Sequence, residues 1–228
     1  METEQTFLLE VVSDTICPWC YVGKRRLETA LTAVGDDIAF EVRWRPFELN
    51  PHMPQEGLDR KSYRSAKFGS WEKSLELDAQ VKAAGASEGL YFHHERIEKT
   101  PNTLASHVLI NLAGGTGAQS DVVEALFRAY FVEGGDVGDP AVLAAIGAKV
   151  GLDPTVVEQA VADEERRAVV KAEARAFAQS GISGVPTVLL NRFSLFSGAQ
   201  PPELIEATLR QAAAHDDVIA SGRRLARA

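Results

Sequence analysis

Cysteine is almost absent from this chain, with two residues in 228, Cys17 and Cys20. That excludes a disulfide-built scaffold, which shows several well-separated pairs. A bridge between Cys17 and Cys20 would close too short a loop to remove much unfolded-state entropy, so architecture is a poor reason for the pair. Redox chemistry, half of a metal site, or two inert buried thiols remain. Positive charge is also in deficit: 24 Lys and Arg against 32 Asp and Glu give a net charge of −8. Nucleic acid is thereby disfavoured as a partner, because phosphates need a basic face. The basic run Lys24-Arg25-Arg26 reads as a solvated helix face.

Long apolar runs are missing too. No stretch approaches the ~20 residues that span a bilayer, so no membrane partner is expected. The acidic start Met1-Glu2-Thr3-Glu4-Gln5 leads into a short apolar segment. It lacks the basic start, longer apolar region and cleavage site of a secretory signal. The reading therefore places the protein in the cytoplasm. A zinc site would need two ligands besides the cysteines. The histidines, His52, His93, His94, His107 and His215, show no His-x₃₋₅-His spacing, so no metal is expected. His93, His94 and Glu95 read chiefly as exposed loop residues.

What is present has a clear order. Phe7 to Val12 is a short apolar strand stopped by Ser13-Asp14. After Cys17-Pro18-Trp19-Cys20, apolar positions at Tyr21, Val22, Leu27, Leu31 and Val34 draw one helical stripe, and Gly35 is a suitable stop. Ile38 to Phe47 alternates apolar and charged residues with the period of a half-exposed strand. From about Asn50 to Ser180 helical patterns follow one another, at Ser70–Gly85, Asn102–Ala113, around Val122–Phe131, and at Asp163–Gln179. Asp139-Pro140 and Asp153-Pro154 each read as an N-cap followed by proline at the first helical position. β character returns at Val185–Asn191 and Phe193–Ser197, and a last helix runs from Pro201 to about Ala214. The order βαβ, helical insert, ββα predicts an α/β protein with one mixed sheet, because neither β-containing half is large enough for a core of its own.

This order sets Cys17 at the start of a helix directly after a buried strand. Unpaired backbone N–H groups and the helix dipole favour a thiolate there, and Cys-X-X-Cys thiols in such settings ionise between about pH 3.5 and 7. Cys20 lies one turn on, at a spacing that suits a disulfide with Cα atoms about 5.5 Å apart. Pro18 fits an early helical position, and Trp19 projects beside the pair as an apolar surface for a partner. The chemistry expected is attack by Cys17 on a partner disulfide, then attack by Cys20 on Cys17 to release the reduced partner. A second piece is Gly184-Val185-Pro186-Thr187. A proline opening a strand after a permissive glycine is a place to expect a cis bond. The Val185 backbone would then face the sulfurs and pair with an extended peptide or with glutathione. A plain trans proline in an edge-strand turn is the alternative.

The segment Ser13-Asp14-Thr15-Ile16-Cys17-Pro18-Trp19-Cys20-Tyr21-Val22-Gly23-Lys24-Arg25-Arg26-Leu27-Glu28 resembles the active-site segment of the FrnE-type branch of the DsbA-like oxidoreductases. Arg45 to Pro51, Pro101-Asn102-Thr103, Ala129-Tyr130-Phe131, Gly184 to Thr187 and Ser197 to Glu203 match it in order over about the first 210 residues. The resemblance implies a thioredoxin fold with a large helical insertion. Residues 1–50 and 180–228 would form the discontinuous thioredoxin-like domain, and 51–179 the insert. It further implies Cys17 as nucleophile, Cys20 as resolving thiol and Pro186 as the cis-proline.

The branch is also similar to the 2-hydroxychromene-2-carboxylate isomerases and kappa-class glutathione transferases, in which a serine typically takes the nucleophile position. That makes glutathione a candidate co-substrate, with Ser197, Gly198 and Gln200 ahead of a helix start as a carboxylate-binding turn; no other cofactor is expected. A polar turn with capping duties reads those residues equally well. Three functions follow. Protein thiol–disulfide exchange or isomerisation is preferred, ahead of a glutathione-dependent isomerase or transferase and a non-enzymatic peptide-binding chaperone. The second would tolerate loss of Cys20, and the third loss of Cys17. A homodimer is compatible with the apolar insert and acidic surface. Two departures stand out: there is no second cysteine pair, and the acidic residue many thioredoxin-fold enzymes bury six positions before the nucleophile is Val11 here, with Glu10 facing the other side. The proton acceptor for Cys20 is left open.

Overall fold

A computed structural model, which describes residues 6–215, turns the first apolar run into β1 (Phe7–Ser13), buried along nearly its whole length. A strand covered on both faces needs such a run rather than an alternating one. Its neighbours explain the cover. β1 is followed by α1 (Pro18–Val34) and then by β2 (Phe40–Pro46), which lies parallel to β1 with Val11 opposite Trp44. α1 ends at Gly35, whose φ of 62° suits a residue without a Cβ.

The chain then leaves the sheet. A two-residue strand β3 (Leu58–Asp59) opens α2 (Arg60–Phe68) and α3 (Trp71–Ala86), and β4 (Lys99–Thr100) pairs back antiparallel to β3. α4 (Leu104–Ala113) and α5 (Gln119–Arg128) follow, α5 running on into a π-helical turn at Ala129–Glu133. α6 (Pro140–Lys149), α7 (Pro154–Ala162) and α8 (Glu164–Gln179) complete the helical block. Each starts on an aspartate whose side chain accepts a backbone N–H: Asp139 from Ala141 at 2.8 Å, Asp153 from Thr155 at 2.8 Å and Asp163 from Arg166 at 2.9 Å. Such caps contribute about 1 kcal/mol each.

β5 (Thr187–Leu190) returns antiparallel to β1, and β6 (Phe193–Ser197) folds back on β5. The two-residue turn between them holds Asn191 and Arg192 at φ 46° and 74°, positive at both positions as a type I′ hairpin requires. α9 (Pro202–Ala213) closes the fold on α1. The sheet order is β2-β1-β5-β6.

One apolar core joins sheet and helical block: Leu9, Cys20, Tyr21 and Val22 pack in a single cluster with Leu109, Leu126, Phe127 and Phe131. The other sheet face carries Val12, Phe47 and Leu189 under Phe177 and Ile182. The basic run on α1 is not the solvated face its composition suggests. Lys24 is buried and reaches Glu124 of α5 at 3.0 Å, Arg25 pairs with the same carboxylate, and Arg26 binds Glu88 at 2.7 Å and the Ala199 carbonyl at 2.6 Å. These charges are consumed in holding α1 to the elements around it.

Candidate active site

Cys17 is the N-cap of α1, with extended backbone angles (φ −89°, ψ 110°), and Pro18 occupies the first helical position. No side chain caps this helix start, so the first-turn N–H groups stay directed toward the Cys17 position. Strand β1 fixes the approach: the Cys17 N–H bonds the Asp14 carbonyl at 3.0 Å, and the Cys20 N–H bonds the Cys17 carbonyl at 3.0 Å. Both thiols are free and buried. They are not equivalent. Cys20 has no exposed surface, and burial pushes its thiol well up, helped by the hydrogen bond and charge of Cys17 and opposed by the Asp14 N–H and the Ser13 hydroxyl. Cys17 instead lines a cavity of about 380 Å³.

That cavity brings together much of what the sequence singled out. Cys17, Pro18 and Trp19 line it with Gly184 and Val185, and the Cys17 thiol points at the Val185 carbonyl oxygen, 3.5 Å away. The Val185–Pro186 peptide is cis. Pro186 itself lies beneath α1: a Cβ on Gly23 would come within 2.9 Å of its ring, so glycine permits this contact. Ser197, Gly198 and Gln200 do not line the cavity. Their polar atoms close the turn into α9, the Thr187 hydroxyl donating to Ser197 Oγ at 3.0 Å, the Gly198 N–H to the Pro186 carbonyl at 2.8 Å and the Gln200 amide to the Ser197 carbonyl at 2.8 Å.

The helical block supplies the opposite wall, with Tyr63, Arg64, Lys67 and Phe68 from α2, Leu77, Asp78 and Val81 from α3, and Tyr130. Lys67 Nζ bonds the Asn50 amide oxygen at 2.9 Å and the Tyr63 hydroxyl at 3.1 Å. Asp78 is shared between Arg60 at 2.7 Å and Arg64 at 2.8 Å. Positive charge on this wall therefore exceeds negative, in a chain whose total charge is −8. Among the described residues no cluster of His, Cys, Asp and Glu is arranged to hold a metal ion.

Behind the wall lies His94, buried against Phe92 with ring centroids 5.3 Å apart; its neighbours His93 and Glu95 pair with each other at 2.8 Å on the outside. Burial holds the His94 imidazole down at about 4, with Asp78 opposing and Arg60 assisting. In the unfolded chain it titrates near 6.5. Above pH 6.5 both states are neutral, and the contribution to stability is whole. As pH falls from there toward 4, only the unfolded state takes up the proton, and about 3 kcal/mol is lost. In His94→Phe, the fall in unfolding free energy from pH 7 to pH 4.5 should therefore be smaller by about 2–3 kcal/mol. Equal falls in the two proteins would refute the assignment.

Comparison with known proteins agrees with this architecture. The uncharacterized protein YwbO of Bacillus subtilis (strain 168) is 27% identical over 205 residues, covering 90% of this chain and 96% of YwbO. The probable DsbA oxidoreductase SCO1869 from Streptomyces coelicolor superposes with a TM-score of 0.81 at 34% identity, over 90% of this chain and 89% of that one. The cytosolic disulfide reductase DsbM from Pseudomonas aeruginosa, in a structure with glutathione, shares the fold at a TM-score of 0.64 and 20% identity, over 90% and 98% of the two chains. The model of the DSBA-like thioredoxin domain matches residues 8–210, most of the chain: the chain belongs to the DSBA-like thioredoxin domain family.

Proposed function

We propose that this protein is a FrnE-type thiol–disulfide oxidoreductase working in the cytoplasm through Cys17 and Cys20. The observation that carries the reading is the asymmetry of the pair: one sulfur at an uncapped helix start on the wall of a cavity, the other sealed one turn behind it. Cys17 attacks a substrate disulfide, forming a bond from its Sγ to one sulfur while the other leaves with the bonding pair as a thiolate. Cys20, deprotonated, then attacks Cys17 Sγ. The Cys17–Cys20 bond forms, the mixed disulfide breaks, and the second substrate thiolate departs. Two electrons pass from the protein to the substrate, and the same steps reversed oxidise a dithiol.

Val185 presents its carbonyl at the Cys17 sulfur, where an extended substrate strand can add a backbone hydrogen bond. Trp19, still 38% exposed, offers apolar contact beside it. Glutathione is the co-substrate we assign, because the excess of Arg64 and Lys67 over Asp78 on the cavity wall suits a small thiol bearing carboxylates. Its presence in the DsbM structure, and the cytosolic description of that protein, support this choice and the compartment.

The test is a redox titration of the full chain against glutathione buffers, read by intact mass after alkylation. A reversible two-electron transition is expected, with a slope of about 30 mV per decade. Two thiols alkylated at every potential would exclude disulfide exchange.

A further inference from the structure

Cys17 is the nucleophile of the disulfide-exchange reading, yet only 5% of it is exposed. Its sulfur is reached through the cavity of about 380 Å³, walled on the far side by α2 and α3. A small thiol or disulfide enters a cavity of that size. A disulfide set in a polypeptide brings its backbone with it and needs the wall moved aside.

The two wall helices are seated differently. α3 is anchored in the apolar core by Val81, and its Gly85 packs so closely on Phe92 that a Cβ there would clash with the ring. α2 buries no apolar side chain, since its one buried residue is Arg60. Polar contacts hold it, on two stripes of i,i+4 pairs. Arg60 and Arg64 face α3, where both pair with Asp78, at 2.7 and 2.8 Å, and Arg64 Nε also donates to Ser74 Oγ at 2.6 Å. Asp78 and Ser74 are buried. His94 comes within 3.8 Å of the same carboxylate, but neither of its ring nitrogens makes a hydrogen bond.

Tyr63 and Lys67 face the other way, across the cavity to the loop after β2. Both donate to the Asn50 amide oxygen, Lys67 at 2.9 Å, and Lys67 also reaches the Tyr63 hydroxyl at 3.1 Å. Lys67 is exposed and Asn50 half-buried, so water can replace these bonds at little cost. Beyond α2 the chain turns at Gly69, with φ 93° and open space where a Cβ would stand. One edge of α2 is therefore held firmly and the other lightly, beside a corner with room to move.

Given the disulfide-exchange reading, we propose that α2 is a lid hinged on Asp78 and caught by Asn50, and that the catch sets the substrate class. With Tyr63 and Lys67 on Asn50, the site takes low-molecular-weight disulfides. When they let go, α2 lifts on its arginine edge, and the Cys17 sulfur and Val185 carbonyl can meet a disulfide in a polypeptide. The exchange is the same in both states. Asn50 is a positioning residue, acting through α2 and not on the sulfurs.

Two probes with one leaving group separate size from reactivity: the thionitrobenzoate mixed disulfide of 2-mercaptoethanol, and that of ubiquitin bearing one surface cysteine. Cys17 attacks the sulfur that carries the mercaptoethanol or the protein, and thionitrobenzoate leaves as the coloured thiolate. Stopped-flow rates of the reduced full chain are each divided by the rate of free glutathione with the same probe. The resulting protein-to-small ratio should lie at least about tenfold below one in the wild type. Asn50→Ala should raise it by about fivefold. Asn50→Asp, which gives Lys67 an ion pair and Tyr63 an acceptor, should lower it by about threefold. A variant that only changed the charge around Cys17 would move both probes together. Should the Asn50 variants not fold, Lys67→Met on the exposed side of α2 replaces them, with a rise of about twofold. A wild-type ratio near one, a ratio the variants leave alone, or Asn50→Ala and Asn50→Asp shifting it the same way overturns the lid. Thionitrobenzoate released from neither probe would instead remove the disulfide-exchange reading on which the lid rests.

Discussion

Cys17→Ser should lose at least about a thousandfold in disulfide exchange, whereas Cys20→Ser should keep its first attack and stall afterwards. A serine hydroxyl is neither ionised near neutrality nor able to reproduce sulfur's attack on sulfur, so nothing at the helix start replaces the thiolate. Cys20 cannot substitute for it, because it has no exposed surface and its thiol is pushed up by burial. In Cys20→Ser the mixed disulfide forms normally and has no partner to resolve it. With oxidised glutathione as the disulfide, intact mass should show one glutathione held on Cys17 and stable on the timescale at which the wild type has closed its own disulfide. Appreciable exchange by Cys17→Ser would assign the nucleophile to Cys20 and reverse the reading. Full catalytic turnover by Cys20→Ser with a small electrophile would favour glutathione chemistry of the isomerase and transferase kind, which needs one activated thiol and no resolving partner.

The parts of the site that could be read from the sequence are those set by short-range chemistry. A buried strand, a helix start and the Cys-Pro-Trp-Cys run fix Cys17 and Cys20 without reference to the rest of the chain, and the β5–β6 hairpin announces itself by two apolar runs around Asn191-Arg192. The opposite wall of the cavity was not legible. α2 is Arg-Lys-Ser-Tyr-Arg-Ser-Ala-Lys-Phe, and its one buried residue is Arg60, so it carries no apolar stripe to betray a helix. Yet it supplies Tyr63, Arg64, Lys67 and Phe68 to the site. The burial of Lys24 is hidden from the sequence for a related reason: it depends on Glu124, a hundred positions away.

Phe127→Ala should lower unfolding free energy by about 3–5 kcal/mol and the midpoint by roughly 10 °C for a chain of this size. Phe127 has no exposed surface and ranks first by volume among the fully buried side chains. Its ring stacks on Tyr21 at 5.0 Å and meets Phe131 at 6.2 Å, while Tyr21 also contacts Phe92 at 5.8 Å. The rings come from α1 and from the helical block, so the cavity left by alanine opens on the seam between them. Phe127→Leu refills most of that space and should cost less than about 1.5 kcal/mol. Because the core is continuous across the seam, the alanine variant should still unfold in one step, with tertiary and secondary signals coincident. Two separated transitions would show instead that the helical block folds as a unit of its own. The position of Tyr21 gives the result a functional edge: it directly follows Cys20, and its hydroxyl donates to Glu124 at 2.9 Å. Loosening this stack frees the turn that aims the resolving thiol, so the alanine variant should be slower in closing the Cys17–Cys20 disulfide than in the first attack by Cys17.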